Sequence, residues 1–419
     1  MDNQQALSSD KFSGYQKFVI AILALTQFTV VLDFMVMSPL GDLLMKSMQL
    51  TTKQFGIAVF SYAFSAGISG FLTAGFADSF DRKKLFLFIF IGFIVGTLFC
   101  GLATNFYLLV AARVFTGIFG GVIGSISMAI VSDLFPIEKR GRVMGFLQMG
   151  FGASQVLGIP ISLFLANSFG WQSPFLMIVA LASFIWLVLI FKLKPINEHL
   201  KVKNDRNPWH HLKHTIAQKD YRIGFMSTAL LSLGGYMMMP WGSTFAVNNL
   251  HVTTQQLPIL FMVAGIAALL IMPIIGKLSD KMDKFKLFAL ASIWLMMVVL
   301  VYTRLTPVPF GIVMLMNVLM MIGIMSRTVP SMALASSLPK MQDRGAFMSI
   351  NSSLQQISGG VAAAIGGMVV VQKDKFSPLE HYDTLGLLIT IILLIAIYLV
   401  YKVNEIVKRK AKVTTHPLS

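Results

Sequence analysis

Three ionisable side chains lie where the sequence offers little water. Asp33 sits in VVLDFMVMSPL (residues 30–40), Arg113 in RVFTGIFGG (113–121) and Arg327 in GIMSRTVP (323–330). An acid within a long apolar segment is costly and functional by default. It can take up and release a proton as its surroundings alternate between apolar and cationic. A buried arginine stays charged, so it needs an acid partner or draws an anionic group to its planar fork. Asp33 and Arg113 therefore leave three readings open. They can form a proton-exchanging pair, they can form a permanent ion pair that holds helices together, or Asp33 can serve substrate contact alone. Arg327 also leaves three. It can snorkel to the leaflet edge, cap a helix end as part of a gate, or receive an anionic ligand in a cavity. The central apolar segments of the second half contain no Asp or Glu to neutralise it.

Other chemistry is poorly supported. His210, His211 and His214 stand close together beside Trp209, Leu212 and lysines. That mixture fits an amphipathic segment on a membrane surface better than a metal site. The single cysteine, Cys100, lies in an apolar segment and reads as packing. No Gly-x-x-x-x-Gly-Lys-Ser/Thr loop is present to hold a nucleotide. No set of His, Ser and acidic residues shares a depth at which it could do chemistry. The expectation is a protein without metal or cofactor that is not an enzyme and draws energy from an ion or substrate gradient.

Positioning these charges requires membrane-spanning helices. The 419 residues are 56% hydrophobic and only 12% charged, and a spanning helix needs about 20 consecutive apolar residues. Twelve such segments are expected, at 17–41, 53–76, 84–103, 106–131, 142–167, 171–192, 222–246, 257–277, 285–303, 308–335, 344–371 and 383–404. The fold class is thus an all-α polytopic membrane protein. With a cytoplasmic N-terminus, the cytoplasmic side collects 27 of the 34 Lys and Arg residues, as the positive-inside rule expects. The same bias accounts for the net charge of +16 through an anionic leaflet, without nucleic acid. Both termini are then cytoplasmic, and the short tails and loops fit a bacterial inner membrane.

The halves repeat one another. GFADSFDRKK (75–84) matches GKLSDKMDKFK (276–286), and EKRGRVMG (138–145) matches QDRGAF (342–347). Residues 1–192 and 222–419 are expected to form two six-helix bundles related by a pseudo-twofold axis, with 193–221 as a cytoplasmic connection. Such a pair encloses a cavity suited to alternating access. One chain supplies both halves, so a monomer is expected.

These motifs resemble the major facilitator superfamily over essentially the whole chain. GFADSFDRKK resembles its signature between helices two and three, with Asp78 one residue closer to Gly75 than the family pattern. Arg113 and Gly117 resemble its helix-four signature. LDFMVMSPL resembles the helix-one signature of drug/proton antiporters, with Asp33 as its acid. GFGASQVLGIP (150–160) is similar to helix five of sugar-efflux and drug-efflux permeases. The resemblance implies proton-coupled efflux of a small organic molecule, with symport or uniport of an organic anion through Arg327 as the alternative. It also implies a conformational gate at Gly75, Asp78, Arg82 and Asp133, matched in the second half by Asp280 and Arg344.

Helical periodicity puts Thr26, Thr29 and Asp33 on one side. Asp33 and Arg113 reach similar depth from the outer side. A mixed lining for the substrate is expected from Gln148, Gln155, Tyr236, Trp241, Asn317, Arg327, Asn351 and Gln355, because buried amides need partners that a wet cavity supplies. Gly117, Gly121 and Ser125 form a small-residue ladder on helix four that lets helices approach and slide. Gly145, Gly150, Gly152 and Gly158 are expected to answer it on helix five.

Overall fold

The computed structural model describes residues 12–76, 80–197, 208–340 and 343–415. They form helices α1 (Gly14–Val36), α2 (Gly41–Met48), α3 (Thr52–Phe76), α4 (Arg82–Leu102), α5 (Phe106–Leu134), α6 (Ile137–Ala153), α7 (Ile159–Phe169) and α8 (Ser173–Lys192). The order continues with α9 (Pro208–Ala217), α10 (Lys219–Tyr236), α11 (Gly242–Asn248), α12 (Leu257–Lys281), α13 (Lys284–Tyr302), α14 (Phe310–Ser337), α15 (Arg344–Val369) and α16 (Tyr382–Thr415).

Helix starts follow from local chemistry. Ser13 and Gln16 form a reciprocal capping box at α1. Asp81 Oδ1 accepts the Lys84 N–H at 3.0 Å, and Asp283 Oδ1 accepts the Lys286 N–H at 3.0 Å. The repeated loop sequence thus builds the same cap at α4 and at α13.

Among the described residues, 11 helices are long and apolar enough to cross a membrane. The expected span over 344–371 is not one of them. Its helix, α15, has 26 residues, which is long enough, but Ser349, Asn351, Ser352, Ser353, Gln355, Gln356 and Ser358 dilute its apolarity. It packs along α3 instead of presenting an apolar surface all round. Hypothetical β-carbons at Gly56 and Gly67 of α3 would come within 2.8 Å of Ala363 O and 2.9 Å of Ser353 O on α15.

Three expected helices are interrupted. The first breaks at Met37–Leu40, where Pro39 lacks an N–H, and continues as α2. The fifth contains a π-helical turn at Ser154–Gly158 just before Pro160, where the wider turn accommodates the missing donor. The seventh breaks at Met237–Trp241 around Pro240 and resumes as α11. Pro273 and Pro330 lie inside unbroken α12 and α14, so proline alone does not decide where a helix stops.

The glycine ladder packs differently from expectation. β-Carbons at Gly117 and Gly121 of α5 would lie 2.5 Å from Tyr62 O and 2.2 Å from Ala66 O, so the ladder faces α3. Gly150 abuts Ala24 of α1, Gly158 abuts Leu32, and Gly152 meets Leu269 of α12. A β-carbon at Gly145 would meet no other element within 4 Å among the described residues.

Candidate functional site

The shared face of α1 ends in a buried charge. Thr26, Thr29 and Asp33 are each 0% exposed. The two threonines return their hydroxyl protons to carbonyls of their own helix, at 2.9 and 2.8 Å. Asp33 has better partners. Its Oδ2 accepts from Arg113 Nη1 at 3.0 Å, and its Oδ1 accepts from Thr97 Oγ1 at 3.2 Å. Arg113 comes from α5 and Thr97 from α4, so the acid ties three helices together. The Tyr62 ring of α3 faces the guanidinium at 4.3 Å. Arg113 Nε has no hydrogen-bond partner among the described residues. The Cys100 thiol lies 3.6 Å from Thr116 Oγ1.

This arrangement is neutral as a pair and costly when split. Breaking a buried pair by neutralising one partner leaves an uncompensated charge in a medium of low polarity. Protonating Asp33 would leave Arg113 with the Tyr62 ring and the Asp33 carbonyl, which lies 3.5 Å from Nη1.

Beside the pair lies a small apolar pocket. Phe34, Met37 and Ser38 line it from α1 and its break, and Val59 and Ala63 from α3. Tyr236, Met239 and Pro240 come from α10 and its break, and Gly359 and Ala363 from α15. The two breaks meet above the pocket. Ser38 Oγ donates to Met239 O, and Ser243 Oγ donates to Ser38 O at 2.8 Å. Farther out, Asn248 of α11 bonds Asp42 of α2, and Thr52 Oγ1 donates to Val370 O at 2.8 Å. The end of the molecule that carries α2 and α11 is therefore tied shut.

The expected lining residues are placed unevenly. Tyr236 borders this pocket. Trp241 is fully buried, edge-on to Phe55 at 5.5 Å, and packs against Gly366 and Gly367. Asn317 Nδ2 donates to Val313 O of its own helix at 3.0 Å. Asn351 Oδ1 and Arg327 Nη2 are buried without a hydrogen-bond partner among the described residues. Phe288 lies 5.7 Å from the Arg327 guanidinium carbon. Gln155 is half-buried and Gln355 is exposed. Of the pocket residues that sequence reasoning missed, Met37, Ser38 and Met239 flank Pro39 and Pro240, and those prolines were the available signal; Val59, Ala63, Gly359 and Ala363 carried none.

Among the expected gate residues, Arg82 Nε donates to Asp133 Oδ2 at 3.0 Å, joining the start of α4 to the end of α5. Arg344 is exposed at the start of α15. Asp78 and the side chains at Gly75, Asp280 and Gln148 lie outside the described residues, as do those of His210 and His211. His214 is exposed on α9, and no group of three or more His, Cys, Asp or Glu among the described residues is placed to hold a metal ion.

Comparisons with known proteins bear on family and fold. The family profile described as Major Facilitator Superfamily matches residues 23–363 and 224–416. The uncharacterized MFS-type transporter YbcL of Bacillus subtilis (strain 168) is 26% identical over 386 residues, covering 90% of this chain and 95% of the relative. A probable sugar efflux transporter of Helicobacter pylori (strain P12) is 27% identical over 47% of this chain and 49% of its own length. The crystal structure of a bacterial homologue of the human lysosomal transporter Spinster, inward-facing and unoccupied, superposes with a TM-score of 0.76 at 15% identity. That match covers 95% of this chain and 99% of the other, and it establishes likeness of fold.

Proposed function

The chain belongs to the Major Facilitator Superfamily, and on that premise we propose that it is a proton-coupled antiporter expelling a small organic molecule by alternating access. The family consists of carriers, so the chain is a secondary-active transporter of a small molecule and not an enzyme. In the proposed reading, α15 supplies a twelfth crossing. Residues 1–192 and 222–419 are two six-helix bundles, 193–221 connects them, and both termini are cytoplasmic. The protein works as a monomer in a bacterial inner membrane. The tied α2 end is then the outer side, and substrate enters from the cytoplasm.

The buried Asp33–Arg113 pair carries this reading. When the outer side opens, water and a proton reach Asp33. The neutral acid releases Arg113, and the Thr97 hydroxyl can turn from donor to acceptor of a hydrogen bond from the protonated carboxyl. Closing the outer side and opening the inner one restores the pair and discharges the proton inwards. Substrate leaves on the return. The same side chains thus serve two states whose relative populations the proton shifts.

The test uses purified protein in proteoliposomes enclosing a pH-sensitive dye, screened with cationic, neutral and anionic metabolites. Substrate-dependent proton movement that vanishes in Asp33→Asn, while substrate binding persists, is the expected result. Uphill transport at the normal rate by Asp33→Asn would refute the reading.

Arg327 favours a second reading, symport or uniport of an organic anion. It is 4% exposed and its Nη2 lacks a partner among the described residues, so a carboxylate or phosphate on the cargo would supply the missing charge.

A further inference from the structure

We propose that Tyr62 is the positioning residue that couples the occupant of the Phe34–Tyr236 pocket to proton exchange at Asp33. The inference rests on the antiport reading and names the class of occupant from the uncharged, almost wholly apolar walls of the pocket, a neutral apolar molecule.

A continuous line of rings carries it. The Arg113 guanidinium lies 4.3 Å from the Tyr62 centroid. Tyr62 lies 5.6 Å from Phe34 with an interplanar angle of 32°. Phe34 lies 6.1 Å from Tyr236 at 65°. Phe34 and Tyr236 both border the pocket, and Phe34 directly follows Asp33 in the chain. Tyr62 therefore has the ion pair on one side and a pocket wall on the other.

Tyr62 has little freedom to absorb a push. It is 2% exposed. A β-carbon at Gly117 would lie 2.5 Å from its carbonyl oxygen, and one at Gly120 would lie 2.6 Å from its hydroxyl. Close-packed interiors transmit small displacements because they cannot deform continuously. A ligand that displaces Phe34 shifts the Tyr62 ring across the guanidinium. The ring quadrupole attracts that cation at its face, so the shift alters how Arg113 is held once Asp33 is neutral. The ionisable groups around Asp33 among the described residues are Arg113 from α5, Tyr62 from α3 and Cys100 from α4.

Linkage makes this measurable, since a ligand that changes proton affinity binds with a pH-dependent constant of equal factor. The probe is N-phenyl-1-naphthylamine, a neutral apolar fluorophore. Its Kd for the purified full-length protein is measured on both sides of neutral pH. For the wild type, Kd is expected to change by about tenfold. Asp33→Asn should bind with a Kd that ignores pH. Tyr62→Leu should bind the probe with the same loss of pH dependence, and Tyr62→Phe, which keeps the ring, should restore it. Monodisperse elution of each variant separates this result from misfolding. Wild-type pH dependence in Tyr62→Leu overturns the inference while leaving the antiport reading intact. So does failure of the wild type to bind the probe. Wild-type pH dependence in Asp33→Asn instead overturns the antiport reading itself.

Discussion

Asn248 Nδ2 donates to Asp42 Oδ1 at 2.6 Å across 206 residues of chain. Lys46 Nζ completes a triangle, 2.9 Å from Asp42 Oδ2 and 3.1 Å from Asn248 Oδ1. Asp42 and Asn248 are 4% and 7% exposed, so the contact is largely dry. It ties α2 to α11 just beyond the paired helix breaks, and alternating access requires that tie to part. Hydrogen bonds to charged groups are worth about 1.5–3 kcal/mol. Asn248→Ala is therefore expected to lower the closed-to-open ratio at this end by about 10- to 100-fold. Spin labels at Ser47 and Gln255, in a Cys100→Ala background, should report a longer distance in the variant. An unchanged distance distribution would show that the triangle does not hold this end.

The two arginines within the helical layer differ in one respect. Arg113 is neutralised at 3.0 Å, whereas among the described residues Arg327 has the Phe288 ring 5.7 Å away and no hydrogen-bond partner for Nη2. If cargo supplies the partner, Arg327→Gln should weaken carboxylate-bearing compounds by about 10- to 100-fold, the equivalent of a lost charge-assisted hydrogen bond. Neutral analogues should bind unchanged. Competition binding with acid and amide pairs of the same compound makes the comparison. Equal anion affinity in wild type and variant removes Arg327 from the site.

How much of this was legible in advance depended on the kind of signal. Most spans were readable because apolarity sustained over a bilayer's width has few other causes. α15 is the exception, since its serines and glutamines dilute its apolarity and its place is set by packing along α3, which is not a local property. The proximity of Asp33 and Arg113 followed from their matching depths. The pocket did not follow. Its walls include Ala63, Gly359 and Ala363, whose contribution is the space they leave. Of the amides that looked like lining, Asn317 bonds its own helix, whereas Asn351 Oδ1 is buried with no partner among the described residues. Pro39 and Pro240 announced breaks, but only the tertiary structure shows that the two breaks bond one another.

Asp283 makes a pH prediction with a definite sign. The hydrogen bond from Lys408 Nζ at 2.7 Å holds its carboxyl below the usual range, and the Lys286 N–H adds to this, while partial burial opposes it. A depressed folded-state pKa stabilises the fold at pH values above the ordinary carboxylate pKa of about 3.9. That contribution disappears as pH falls through the lower folded value. Both side chains are partly exposed, so solvent screening limits the effect to about 0.5 kcal/mol. Lys408→Met should therefore melt slightly below wild type at neutral pH, and the gap should close in acid below about pH 4. Melting in detergent by intrinsic fluorescence across that range is the check. A gap that widened in acid would contradict the assignment.

Gly121 and Gly124 allow a paired test of the α5 ladder. A β-carbon on Gly121 would fall 2.2 Å from Ala66 O, which is backbone and cannot swing aside. One on Gly124 would meet nothing within 4 Å among the described residues outside its own helix. Gly121→Ala must push α3 and α5 apart, carrying Tyr62 and Arg113 with them, and overpacking of this kind costs about 1–3 kcal/mol or more. Gly124→Ala gains helix propensity of about 1 kcal/mol at no steric cost. Thermal stability in detergent should fall for the first and hold or rise for the second. Transport should fail in Gly121→Ala even below its melting temperature, because the ring contact on Arg113 is displaced. If both variants melt and transport like wild type, the α3–α5 approach is looser than these distances require, and the ladder is ordinary lipid-facing surface.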